Sequence, residues 1–129
     1  MTPRAAESAV LLTAHGSRVP GSNDEVESLA LQLAAHLPAG YTVSHAFLEL
    51  ASPSIPDAID TLAADGVADI LVIPYFLSAG RHVSEDIPAI VEAARTRHPH
   101  LDIRVTGHFG AAASVPELLS AMVTGAPRA

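Results

Sequence analysis

Residues 69–74, Asp-Ile-Leu-Val-Ile-Pro, form an unbroken apolar, β-branched run with Gly66 before it and Ser78-Ala-Gly-Arg81 after it. A strand wetted on one face alternates apolar and polar residues, whereas an unbroken run fits the centre of a parallel sheet covered on both faces. Parallel neighbours cannot be joined by tight hairpins, so such a strand demands crossover connections, usually helices. The rest of the chain has that form. Ala9-Val-Leu-Leu-Thr-Ala14 reads as a buried strand, broken by Gly16 and Pro20-Gly21-Ser-Asn23. Tyr41 to Leu50 and Leu101 to Thr106 read as two further strands. Between them, Asn23 or Asp24 is expected to cap a helix with Val26, Leu29, Leu33 and Leu37 on one side, ended by Pro38 and Gly40. Ser54-Ile-Pro-Asp57 opens a second helix, with Ile55, Ala58, Ile59 and Leu62 inward, closing at Gly66. A third runs from about Val83 to Arg97 with Ile87, Ile90, Val91 and Ala94 inward, and Pro116 to Thr124 forms a last short one. Strands alternating with helices predict an α/β fold, a small doubly wound parallel sheet of about four strands flanked by helices. One domain over residues 1–129 is expected, with strand order left open.

Composition removes several classes of function. The formal charge is −7, which argues against a nucleic-acid footprint. There is no cysteine, so disulfides, zinc–thiolate sites and thiol nucleophiles are excluded. All seven basic side chains are arginine, which excludes a Schiff-base or P-loop lysine. Arginine's planar fork suits carboxylates and phosphates, so Arg18 and Arg81 remain candidates for a local anion site. No apolar stretch reaches membrane-spanning length, and Met1 to Ser8 lacks a basic segment followed by an apolar run; no membrane partner and a cytoplasmic location are the expectations.

Ligands of open parallel sheets bind beyond the carboxyl ends of the strands. There the sequence sets His15-Gly-Ser-Arg18 after the first strand and Glu49 at the end of the second. Tyr75, Phe76, Ser78, Arg81 and His82 follow the third strand, and His108 follows the fourth. Three histidines and a carboxylate converge on one edge, a donor set suited to a late first-row divalent metal. Each residue also has a plainer reading. His15 could only close its loop, His82 could only cap the third helix, and Glu49 could be a solvated strand end. His108 could be a neutral surface residue. His36, His98 and His100 lie at a helix end and a surface turn and read as structural or solvent-facing, while His45, inside a strand, reads as packed or hydrogen-bonded. Asp24, Glu25 and Glu27 read as helix-opening carboxylates that offset the helix dipole. A His-Gly pair after an apolar strand also occurs in phosphohistidine phosphatases, but there an arginine precedes the histidine, and here Ala14 does.

Four stretches carry a more specific likeness: Leu12-Thr-Ala-His-Gly-Ser-Arg18, Ala46-Phe-Leu-Glu-Leu-Ala-Ser-Pro-Ser-Ile55, Ile73-Pro-Tyr-Phe-Leu-Ser-Ala-Gly-Arg-His-Val83 and Asp86-Ile-Pro88. Together they resemble the small class II tetrapyrrole chelatases, the CbiX/SirB-like sirohydrochlorin chelatases, from Val10 to about Gly110. The resemblance implies a chelatase or flavodoxin-like half as the fold. It implies ATP-independent insertion of cobalt or iron (nickel in some relatives) into sirohydrochlorin, for sirohaem or cobalamin, with the metal as substrate and no organic cofactor. His15 and His82 match the histidines regarded as metal-binding and catalytic, and Glu49 falls at the family's acidic position as a third catalytic participant. Gly107-His-Phe-Gly110 departs from the commoner Pro-Leu-Gly, so His108 is an extra ligand, a substrate contact or drift.

Sirohydrochlorin carries many carboxylates, so Arg18, Arg81 and backbone donors near Ser17, Ser78 and Gly80 are the expected substrate-binding groups. Larger members of the family hold the ring between two similar halves; a single half is expected to pair as a homodimer. The alternative function is a metal or tetrapyrrole carrier that uses the same histidines without turnover.

Overall fold

β1 (Ser8–Ala14), β2 (Tyr41–Phe47), β3 (Asp69–Pro74) and β4 (Asp102–Val105) pair in parallel in the order β2-β1-β3-β4. This is a computed structural model, which describes residues 8–128; residues 1–7 and 129 of the expected unit lie outside it. α1 (Pro20–His36), α2 (Ile55–Ala64) and α3 (Ile87–Arg97) form the successive crossovers, and α4 (Val115–Gly125) follows β4. The doubly wound α/β expectation therefore holds. The chain leaves β1 outward to β2, then returns past β1 to β3, so the winding reverses between β1 and β3. In such sheets the crevice at the reversal is where ligands bind.

The main core lies under α2 and α3. Ala9 and Leu11 of β1 join Ile70 and Val72 of β3 and Ile103 of β4 against Ile59, Ile87 and Val91. The inward residues of α2 are buried as their spacing predicts, and the Ser54 hydroxyl accepts from the Asp57 N–H at 3.2 Å to cap that helix. On the other face α1 packs over β1 and β2, burying Val10, Leu12 and Ala30. β3 departs from expectation on this side: Ile70, Val72 and Pro74 are buried, but Leu71 and Ile73 are only half-buried. Its apolar run is continuous because both faces are apolar, yet α4 buries none of its own residues and leaves the second face open.

Several boundaries differ from the sequence reading. α1 starts at Pro20, whose fixed φ suits the first helical turn, with Val19 as its cap and no side-chain capping bond. Neither Asn23 nor Asp24 is a cap, and Asp24, Glu25 and Glu27 fall in the second turn. β2 ends at Phe47 rather than Leu50, because Leu50 takes a positive φ of 67° and turns the chain. The third helix opens one residue before Val83 with a π-helical turn, His82–Asp86, in which the Ile87 N–H bonds the His82 carbonyl. Pro88 has no N–H to continue the regular ladder there. Among the described residues no helix is long and apolar enough to cross a membrane.

Candidate metal centre

The site begins with backbone pairing beyond the strands. Past the end of β2, the Leu48 N–H bonds Ala14 at 2.9 Å and the Glu49 N–H bonds His15 at 3.0 Å. This pins Glu49 beside His15, residue against residue. Gly16 makes the approach possible. Its φ is +96°, and a Cβ there would stand 1.8 Å from the Glu49 carbonyl oxygen. On the other side of the reversal, the Tyr75 N–H bonds Thr13 at 2.7 Å, which steers the chain after β3 along β1 before it reaches His82.

These constraints bring three side chains together. His15 Nε2 lies 2.7 Å from Glu49 Oε1, and the His15 and His82 ring centroids are 4.8 Å apart at 54°. Ligand atoms of His15, Glu49 and His82 all lie within 4.8 Å of one another. Tetrahedral ligands about 2.1 Å from one ion stand about 3.4 Å apart, so the widest separation here would have to close by about 1.4 Å for all three to bind one ion in that geometry. The side chains are 42%, 52% and 40% exposed, so small rotations and solvent entry are both open. His15 Nδ1–H donates to the Gly16 carbonyl at 3.0 Å, which turns the Nε2 lone pair toward Glu49. A shared proton or a cation satisfies that 2.7 Å contact. Two imidazoles and a carboxylate with coordination positions left over can hold a divalent ion without enclosing it.

The remaining candidates are distributed around this centre. Ser17 is fixed by Asn23, whose side chain accepts from the Ser17 N–H at 3.0 Å and donates to its carbonyl at 2.8 Å. Asn23, expected as a helix cap, instead braces the His15 loop. Ser17 and Arg18 line a cavity of about 350 Å3 that also includes His45, Phe47 and Leu50. His45 is half-buried and meets the Phe47 ring edge-on at 5.6 Å. Ser78, Gly80 and Arg81 are exposed in the loop before the π turn, with Arg81 Nε 3.4 Å from Glu85. The Gly80 carbonyl accepts from the N–H groups of Val83 and Ser84 at 3.1 and 3.0 Å, a structural use its sequence position did not suggest.

His108 is not in the three-residue group. It lines a separate cavity of about 370 Å3 with Thr106 and Phe109. The significant residue of that loop is Gly110, whose N–H bonds Phe76 at 2.9 Å and whose absent side chain admits the Leu77 backbone. His36 Nδ1–H donates to the Gln32 carbonyl at 2.9 Å, and His98 pairs with Asp60, the structural roles expected of them. Asp86, 2.7 Å from His82 Nδ1, was not singled out as a site residue by the sequence; its spacing of four from a candidate ligand was the available signal.

Comparison with known proteins identifies relatives of the whole fold. The chain is similar to the sirohydrochlorin cobaltochelatase of Methanothermobacter thermautotrophicus, 42% identical over 82 residues, or 64% of this chain and 56% of that protein. It superposes with a TM-score of 0.80 on the sirohydrochlorin chelatase SirB of Bacillus subtilis subspecies spizizenii in complex with cobalt, at 27% identity, covering 92% of this chain and 50% of SirB. A putative cobalamin biosynthesis CbiX protein of Marinobacter aquaeolei matches with a TM-score of 0.76 at 28% identity, over 91% of this chain and 94% of that one. The matched stretches thus span about half the length of the first two relatives and nearly all of the third. The family model described as CbiX matches residues 9–126, and the chain belongs to the CbiX family.

Proposed function

We propose that this chain, as a single chelatase domain, inserts a divalent metal, cobalt or iron with nickel as a further candidate, into a sirohydrochlorin-type tetrapyrrole. The reaction needs no ATP and no organic cofactor, and the setting is the cytoplasm. The observation that carries the reading is the convergence of His15, Glu49 and His82 at the reversal point of the sheet. The relatives named sirohydrochlorin cobaltochelatase and the SirB structures with cobalt and with Fe3+ support the choice of metal and macrocycle.

In this mechanism the two imidazoles and Glu49 replace part of the ion's water shell and leave positions open for pyrrole nitrogens. The metal replaces two N–H protons of the ring, and those protons leave through groups that have just released the ion. Imidazole is suited to both tasks, in succession rather than together, because one lone pair serves each. Leu50, Tyr75 and Leu77 are exposed around the same edge and offer apolar contact to a flat macrocycle. Arg18 and Arg81, with the backbone near Ser17, Ser78 and Gly80, meet its rim carboxylates.

The partner in this reading is a second copy of the chain. Leu118, Leu119, Met122 and Val123 form an exposed apolar stripe on α4. An apolar cavity of about 230 Å3 is lined by Leu12, Leu29, Leu33, Ile73, Tyr75 and Phe109. Both features suit a two-fold dimer that closes the ring between copies.

Anaerobic sirohydrochlorin with Co2+, Fe2+ or Ni2+, followed by absorbance, tests the reaction. Many equivalents of metallated product per chain are expected. Conversion that stops at one equivalent makes the protein a carrier. His15→Ala and His82→Ala are each expected to abolish insertion while costing no more than about 2 kcal/mol of stability, because both side chains are about 40% exposed and stand outside the hydrophobic core. Full activity in both variants would overturn the site assignment.

A further inference from the structure

We infer that Asp86 is a positioning residue that holds His82 in the tautomer presenting Nε2 to the metal. The inference rests on the chelatase reading for its purpose, but its geometry is independent of turnover. His82 Nδ1 and Asp86 Oδ2 are 2.7 Å apart, and a carboxylate can only accept, so Nδ1 carries the hydrogen. In the neutral ring the lone pair then sits on Nε2. A carboxylate behind a ligating imidazole fixes ring orientation and strengthens the nitrogen opposite as a donor.

Asp86 also begins α3, where a carboxylate ordinarily caps the helix or offsets its dipole. That plainer role does not describe this one. The Asp86 side chain makes no capping bond to α3 and is turned back onto His82. Both residues lie on the π-helical turn, four apart, and Ile87, 1% exposed, anchors the end of that turn in the core. Turns of this kind recur at functional sites. His15 lacks an equivalent partner, since its Nδ1–H goes to the neutral Gly16 carbonyl. The two imidazoles are therefore unequal, and His82 is the better anchoring ligand.

The test uses metal-free and Co2+-loaded protein without tetrapyrrole. Long-range 1H–15N spectra of the metal-free wild type should show neutral His82 with its hydrogen on Nδ1. In Asp86→Ala the hydrogen should move substantially to Nε2, with the His15 pattern unchanged. Co2+ binding, read from visible absorbance, should weaken about 10- to 100-fold in Asp86→Ala. Asp86→Glu should recover most of the loss. If Asp86→Ala folds poorly, Asp86→Asn keeps an accepting oxygen and should retain the tautomer while binding Co2+ several-fold more weakly. An unchanged tautomer with Co2+ affinity within threefold of wild type, in whichever variant is folded, would overturn the inference. Altered tautomer and affinity in a protein whose wild type does not turn over would instead leave Asp86 as assigned and remove the chelatase reading.

Discussion

Among single residues, Gly16 shows most directly how the site depends on backbone. Only a residue without a side chain tolerates both its φ of +96° and the Glu49 carbonyl at the position of its Cβ. Gly16→Ala is expected to cost about 2–3 kcal/mol of stability from strain and overlap. It should also separate His15 from Glu49 and weaken Co2+ binding. Urea unfolding beside a Co2+ binding isotherm checks both, and wild-type values in the two would refute the packing account. The histidines themselves were legible in sequence because strand ends are legible and ligands gather beyond them. Asp86 was not, because a spacing of four from His82 does not tell a carboxylate turned onto the ring from one that opens the helix. His108 was over-read for the converse reason: following a strand brings a residue to the right edge, not into contact with the ligands there.

At the level of elements, the apolar spacing of α2 and α3 predicted their buried faces, but not the polar clamp across their ends. Asp60 of α2 accepts from His98 Nε2 at 2.7 Å and from Arg97 Nη2 at 3.1 Å, joining it to the end of α3. Those residues are far apart in sequence, so no local pattern announces the contact. The His98 hydrogen bond, against the opposing effect of desolvation and with help from Arg97, holds the Asp60 carboxyl below its ordinary value of 3.8. A carboxylate with a lowered folded-state pKa binds fewer protons in the native than in the unfolded chain. Its stabilisation is therefore present above pH 3.8 and is lost as pH falls through the folded value. The Asp60 side chain is 48% exposed, so Asp60→Asn should cost less than about 1 kcal/mol at pH 6–7. The difference from wild type should shrink progressively as pH falls below 3.8, measured by urea unfolding across that range. A gap that persists undiminished in acid would show that shape, not charge, accounts for the clamp.

For the whole molecule, the informative feature is a fold that leaves apolar surface uncovered on one side. The continuous apolar run of β3 anticipated cover on both faces, but Leu71 and Ile73 remain half-buried, and α4 stands off with its stripe exposed. Composition and pattern describe a chain's own elements and carry no direct mark of which copy covers which face. Leu118, Leu119, Met122 and Val123 are 52%, 57%, 70% and 76% exposed, so burying what remains contributes about 4–8 kcal/mol per copy before the cost of association. A two-fold axis makes the same contact twice. This is comparable to the loss of about 4–15 kcal/mol in rigid-body freedom on pairing, so the proposed dimer should be real but sensitive to its centre. Leu118→Asp with Met122→Asp places two charges one helical turn apart in that stripe and should yield monomers. Ser120→Asp, on the polar side of the same helix, should leave the dimer intact. Sedimentation velocity distinguishes these states. If the ring is bound between copies, the double variant should lose insertion activity while Co2+ still binds His15, Glu49 and His82 within one chain. Equal activity from a proven monomer would show instead that one sheet edge suffices for the reaction.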